Sequence, residues 1–281
     1  MNILIADSGS TKTDWRFIDE NREILSFRSE GYNPYLISGE EMEESLRREV
    51  FTQLGNRIPS ELFFYGAGCG ADEKKAIVKN ALAGIFPNVK IEVNHDLLAA
   101  ARALCGKEKG IAAILGTGSN SCTFDGKTIL ENRPSLGYVL GDEGSGAAMG
   151  KELLRKFFYD DMDPFLKENF VKRFNLSQSE ILDTIYKKPL PNRYLASFAK
   201  FIFQNIDNQQ CAEIVIENFR AFFKHHILRY PQAHEWPLHV TGSVGFYFSN
   251  ILRRVAEEQE VRLGRVIETP ISGLVNFHIG E

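Results

Sequence analysis

Two stretches of this chain follow one plan, and that repetition restricts the available folds more than any other feature. Ile3–Ala6 and Asp14–Ile18 are short apolar segments joined by "DSGSTKT", residues 7–13. Ile111–Leu115 and Ser121–Phe124 are joined in the same manner by "GTGSN", residues 116–120. Each reads as strand, tight turn, antiparallel strand. After the first hairpin come a strand at Glu23–Arg28, an acidic helix at Gly39–Leu54 and a strand at Glu61–Tyr65. A helix at Asp72–Phe86, a strand at Val89–Val93 and a helix at Asp96–Leu104 follow, the pattern of βαβ units added to a meander. The second hairpin leads to an Asp125-Gly126 turn and a helical region from Ser145 to about Tyr230. A strand at Leu238–Val240, a turn at Gly242–Gly245, a helix at Tyr247–Gln259, a strand at Leu263–Ile267 and a short helix after Pro270 complete the chain. The expectation is an α/β protein of two domains, residues 1–105 and 106–281. The repeated plan alone places the boundary, near residues 104–110, and the final helix is left free to pack back on the first domain.

Composition excludes several classes. At 281 residues, with 43% hydrophobic and 25% charged residues, the chain can bury a large core and does not read as disordered. A net charge of −4 provides no basic field, so no nucleic-acid partner is expected. Cys69, Cys105, Cys122 and Cys211 are scattered without C-x-x-C spacing, which fits reduced thiols in a cytoplasm. No apolar run nears the roughly 18 residues of a membrane span, so no membrane association is expected. Phe157, Phe158, Phe198, Phe201, Phe219, Phe222 and Phe223 recur at helical spacing and read as core.

Three glycine-rich turns carry the chemistry: residues 7–13, "LGTGSN" at 115–120 and "VTGSVG" at 240–245. Glycines let backbone N–H groups turn inward toward an anion, and Ser and Thr hydroxyls add donors. Three such turns, each after an apolar strand, point to a polyphosphate site. Two other phosphate patterns nearly appear. Ser145–Glu152 resembles a Walker A loop with Ser145 in place of its first glycine and Glu152 in place of its magnesium-binding hydroxyl. Gly66–Ala71 follows a strand in the G-x-G-x-x-A manner but not on the first strand.

The three turns in this order resemble the two phosphate motifs and the adenosine motif of the actin, sugar kinase and heat-shock ATPase superfamily. "DSGSTKTD", "LGTGSN" and "LGDEGSG" resemble the branch that holds N-acetylglucosamine kinases and BadF/BadG-type ATPases. The resemblance implies two ribonuclease-H-like, actin-like ATPase domains with mixed five-stranded sheets flanked by helices and a cleft between them. It also implies ATP and Mg²⁺ as cofactors. Asp7 matches the aspartate that holds hydrated Mg²⁺. Gly9, Ser10, Thr11, Lys12 and Thr13 match the first phosphate turn, although Lys12 is equally readable as a solvated charge. Gly116, Thr117, Gly118 and Ser119 match the second, and Gly242, Ser243 and Gly245 match the adenosine motif.

Asp96, in "VNHDLLAA", matches the general base of these kinases, and its plain reading is a helix N-cap. His95 beside it reads as structural. On the sugar side the resemblance implies Asn33 of "EGYNP", Gly68, Asn120, Gly137 and Asp142. Where the animal-type kinases have an aromatic residue and a histidine before "GDEG", this chain has Leu136 and Tyr138, so recognition of the acyl group is open. The expected function is ATP-dependent phosphorylation of an amino sugar, N-acetylglucosamine first, with a homodimer as the candidate assembly. The alternative is a BadF-type ATPase that activates a dehydratase through an iron–sulfur cluster, for which the cysteines show no matching pair. A fold kept for binding without turnover is a third reading. No structural zinc is expected, since the cysteine-rich motif of the repressor and open-reading-frame kinases is absent.

Overall fold

The computed structural model describes residues 2–10 and 12–280. Thr11, expected in the first phosphate turn, lies outside the described residues. The chain forms two units, residues 1–107 with 270–281, and residues 108–269. The second unit thus ends short of the 106–281 range expected for it, because the Ile271–Ile279 helix packs in the first unit on the Asp96–Cys105 helix and on the strand Ile3–Ser8.

In the first unit β1 (Ile3–Ser8) lies between β2 (Lys12–Ile18) and β4 (Glu61–Gly66), with β3 (Ile24–Glu30) and β5 (Lys90–His95) at the edges. β1, β2 and β3 are antiparallel, whereas β4 and β5 run parallel to β1. The second unit repeats this order with β6 (Gly110–Leu115), β7 (Ser119–Phe124), β8 (Ile129–Arg133), β9 (Leu238–Thr241) and β10 (Leu263–Ile267). β6 pairs antiparallel with β7 and parallel with β9, as β1 does with β2 and β4. The expected pair of mixed five-stranded sheets is the architecture found.

Both faces of β1 are covered, which explains its unbroken apolar run. Leu4 and Ala6 face a cluster with Trp15, Phe64, Met42 and Leu82. Ile3 and Ile5 face Ala99, Ala103, Leu274 and Val275. Trp15 is fully buried, stacks on Phe27 at 6.0 Å and donates its indole N–H to Ser29 Oγ at 2.9 Å. In the second unit Phe198, Phe201, Phe219, Phe222 and Phe223 are buried as expected, while Phe157 and Phe158 are only partly so. Among the described residues no helix is long and apolar enough to cross a membrane.

The acidic helix departs from its expected form. Gly39–Leu46 is α-helical behind a capping box of Ser38 and Glu41, and a π-helical turn at Arg47–Phe51 follows. Met42, Leu46, Val50 and Leu54 are buried at four-residue spacing. An α-helix advances 3.6 residues per turn, so such a stripe would drift off the core, and the wider turn restores it.

The two stray phosphate patterns have packing explanations. Ser145 caps the Gly146–Phe158 helix by accepting from the Ala148 N–H at 3.2 Å. A Cβ on Gly150 would lie 1.9 Å from the carbonyl oxygen of Leu195, so this glycine lets the Gly146–Phe158 and Pro191–Ser197 helices touch backbone to backbone. A Cβ on Gly66 would meet Cys69 Sγ at 2.9 Å. Gly150→Ala is therefore expected to lower stability by about 1–3 kcal/mol, read as a lower urea midpoint with an unchanged slope.

Candidate functional site

The carboxyl ends of the parallel strands gather the polar residues of the first unit. Asp7 lies level with Tyr65 near the end of β4, and Gly66 lies level with His95 at the end of β5. Asp96 opens the helix that follows β5. In open α/β sheets this edge is where ligands bind.

Asp7 and Asp96 are both half-buried. Burial, then the negative charges of Asp14 and Asp96, push the Asp7 carboxyl up to about 7 against the opposing pull of Lys12. Burial raises Asp96 to about 6 although its carboxylate accepts the Leu97 N–H at 2.8 Å. The expected N-cap role falls instead to His95, whose Nδ1 accepts from the Leu98 N–H at 3.3 Å. Burial lowers the His95 pKa, which favours the neutral ring needed to accept that bond.

Asp14 is buried and paired with Arg28 at 2.6 Å and with Lys12 at 3.5 Å. Lys12, whose side chain stays 56% exposed, thus places its ammonium at the turn beside a buried carboxylate. Gly9 N–H donates to the Lys12 carbonyl at 3.0 Å and closes the turn. Ser10 is exposed, and its Oγ accepts from Asn33 Nδ2 at 2.8 Å. Asn33 Oδ1 accepts from the Tyr35 N–H at 3.0 Å and would lie 2.4 Å from a Cβ on Gly68, whose φ is +82°. Gly68 thus makes room for Asn33. Thr13 differs from expectation. It is fully buried, with its hydroxyl bonded to Ser8 Oγ and to the Glu30 carbonyl, both at 2.8 Å, so it braces the turn from within.

In the second unit Gly116 N–H donates to the Gly118 carbonyl at 3.0 Å, and the Gly146 and Ala147 N–H groups donate to the Gly116 and Thr117 carbonyls at 2.8 and 3.1 Å. Asp142, expected at the sugar, lies behind this turn. It is 5% exposed, accepts from Ser119 N–H at 3.3 Å and Ser135 Oγ at 3.0 Å, and would touch a Cβ on Gly118 at 3.0 Å. Asn120 Oδ1 is bonded to Asn132 Nδ2 and to Ser121 N–H, both at 2.9 Å. Gly137, with φ +70°, opens a helical turn at Gly137–Leu140. Leu136 is exposed, while Tyr138 packs against the core.

The third turn lies against the second. A Cβ on Gly242, whose φ is +114°, would sit 2.4 Å from the Leu115 carbonyl oxygen, and one on Gly245 would press on Val240. Gly116, Thr117 and Ser243 thereby share the wall of a cavity of about 680 Å³ with Phe203, Tyr247 and Phe248. Arg193 and Lys200 also line it. Sequence reasoning missed these residues of the helical region. Their signal was present, since Arg193, Ser197, Lys200 and Gln204 recur at helical spacing.

Among the described residues no group of three or more His, Cys, Asp or Glu side chains could hold a metal ion. A hydrated Mg²⁺ that takes most of its oxygens from water and phosphate needs only a carboxylate such as Asp7. The like charges around Asp7 fit a cation there.

No family model matches the chain. It is 41% identical to the crystal structure of a candidate N-acetylglucosamine kinase from Porphyromonas gingivalis, with a TM-score of 0.94 and 99% of each chain covered. It is 24% identical over 207 residues to an N-acetylmuramic acid/N-acetylglucosamine kinase from Clostridium acetobutylicum, covering 70% of this chain and 68% of that one. It is also 24% identical over 164 residues to an N-acetyl-D-glucosamine kinase from Dictyostelium discoideum, covering 53% of this chain. That match spans about half, 51%, of the Dictyostelium enzyme. With the near-complete overlap at 41% identity, the chain belongs to the N-acetylglucosamine kinase-like branch of the actin-like sugar kinases.

Proposed function

We propose that this protein transfers the γ-phosphoryl group of ATP to the 6-hydroxyl of an amino sugar, N-acetylglucosamine, releasing ADP and the 6-phosphate. The observation that carries the reading is Asp96, a half-buried carboxylate at the carboxyl edge of the sheet, poised near neutrality by burial and left free of capping by His95. A general base works best with a pKa near the operating pH. Asp96 takes the hydroxyl proton as the sugar oxygen bonds to the γ-phosphorus and the bond to the bridging oxygen of ADP breaks. Asn33, fixed by Ser10, Tyr35 and Gly68, offers an amide that can donate to and accept from a polyol. Lys12 and the exposed Ser10 face the phosphates of the nucleotide. In the Gly116–Ser119 turn the Gly116 and Ser119 N–H groups are spent within the protein, so Thr117 and Gly118 supply the backbone donors, in a turn whose shape Asp142 maintains, and the cavity beside Ser243 takes the adenosine.

Mg²⁺, when bound, would neutralise the phosphate oxygens, with Asp7 its protein ligand. The dehydratase-activating alternative finds no counterpart among the relatives named above, and all four cysteines are buried. Cytoplasmic placement and a homodimer remain parts of this proposal.

Three measurements test it. ATP consumption with Mg²⁺ should depend on an amino sugar, and Asp96→Asn should lower kcat by about 10²–10⁴-fold. Hydrolysis indifferent to every sugar and to Asp96 would sink the reading. For the wild type, kcat/KM should fall below an apparent pKa near 6, because a protonated Asp96 cannot accept the hydroxyl proton.

The third concerns stability. Asp7 is raised from 3.8 to about 7, so the folded state holds its proton more tightly than the unfolded state. Its contribution to stability is present below pH 4 and is lost as pH rises through 7. Asp7→Asn should therefore match the wild type at pH 3.5 and exceed it at pH 8 by about 1–3 kcal/mol, less than the full shift because the carboxylate keeps partial exposure. Equal urea midpoints at pH 8 would refute that account.

A further inference from the structure

The cavity of about 680 Å³ in the second unit is lined by two cations, Arg193 and Lys200, and by no acid. Among the described residues neither side chain has a hydrogen-bond or ion-pair partner. Several other cations on the same helical region are engaged, although Lys156, Lys188 and Lys224, which do not line this cavity, are not. Lys172 is bonded to Glu168 at 2.6 Å, Lys187 to Asp183 at 2.7 Å and Arg220 to Glu258 at 2.8 Å, while Arg173 is held by Gln204. Arg193 and Lys200 lie on two successive helices, Pro191–Ser197 and Ala199–Gln204, and Ser197 and Phe203 join them in the lining. Apart from Gln204, the rest of the wall is apolar or small, with Ala196, Ala199, Val244, Tyr247 and Phe248 its main parts.

A recess with flat aromatic and aliphatic walls, two unanswered positive charges and the Gly116-Thr117 turn at its rim suits a ligand with an aromatic body and an anionic end. We infer that Arg193 and Lys200 are nucleotide-binding residues that hold the phosphate end of the donor nucleotide, a contact contributed by the helical region rather than by any of the three glycine turns. The inference rests on the kinase reading for the presence of a nucleotide, and it adds which side chains answer the nucleotide's charge. Charge-assisted bonds to phosphate are the stronger class of hydrogen bond, and Arg matches phosphate oxygens with two parallel donors. Both side chains are exposed when no ligand is bound, so their replacement leaves the core untouched.

The test is calorimetric binding of ADP, and of adenosine by displacement of ADP, to the full chain and to Arg193→Gln, Lys200→Gln, the double variant and Ser197→Trp. Each single variant should weaken ADP binding about 10-fold and the double variant about 100-fold. Adenosine should bind within about 2-fold of wild type, since it carries no phosphate to lose. The salt dependence of ADP binding should also flatten in the double variant, with KM for the sugar and the melting temperature unchanged. ADP affinity equal to wild type in both single variants overturns the inference, as does an equal loss for ADP and adenosine. Ser197→Trp fills the cavity. If it blocks ADP while the glutamine variants do not, the inference fails and the cavity reading stands; if ADP binds normally to Ser197→Trp, both fall.

Discussion

In each unit one central strand, β1 or β6, is antiparallel to one neighbour and parallel to the other. An antiparallel partner must be reached through a tight turn at the end of the strand, whereas a parallel partner reached by a crossover ends at that same edge. The hairpin turn and the carboxyl ends of the parallel strands therefore emerge together. Both faces of β1 and one face of β6 are covered by apolar side chains, so the edge is the place where polar chemistry can surface. Asp7, Gly66 and His95-Asp96 meet there in the first unit. Gly116, Thr117 and Gly242 do so in the second.

The two edges are furnished in opposite electrostatic senses. The first unit concentrates carboxylates: Asp14 and Asp96 raise the cost of ionising Asp7, with Lys12 as partial compensation, and Asp14 is paired with Arg28. The second offers the cations Arg193 and Lys200 to its cavity, with the nearby carboxylate Asp142 bonded to the turn through Oδ1. A magnesium–nucleotide complex has both kinds of requirement. Its cation needs a carboxylate, and its phosphates need donors and positive charge.

The architecture was legible because it rests on local patterns. Period-two apolar segments, glycine turns and helix starts place most elements, and Leu263–Ile267 falls where the sequence puts it. What escaped depends on through-space contact. Nothing in the string Ser145–Glu152 reveals that Gly150 faces the carbonyl of Leu195, and so the pattern resembles a phosphate loop when its glycine serves helix packing. Thr13 has the residue type of a binding site, yet its buried hydroxyl is bonded to Ser8 and to the Glu30 carbonyl, while Asp142 spends Oδ1 on Ser119 and Ser135. His95 took the cap expected of Asp96 because a helix N-terminus accepts any suitably placed acceptor, and a buried neutral imidazole qualifies. The cavity-lining Arg193, Lys200 and Phe203 sit in the region where amphipathic spacing was assigned wholly to the core. That spacing reports a covered face without telling whether protein or ligand covers it.

The partly buried carboxylates also explain why the first unit is not arranged for greatest stability. A carboxyl pushed up to about 7 resists ionisation at physiological pH, and an asparagine in place of Asp7 would remove that cost. Selection for folding alone would favour such a replacement, since sites that break a local rule are most often functional ones. On the kinase reading proposed above, a cation arriving with a nucleotide would lower that repulsion and would bind the folded chain and not the unfolded one. Its binding energy would then offset a cost that Asp7 carries. The same desolvation that weakens the unliganded unit keeps Asp96 near the pKa at which a carboxylate is both ionised enough to accept a proton and basic enough to want it. Stability forgone at this edge and readiness to accept a proton are two consequences of one arrangement of buried charge.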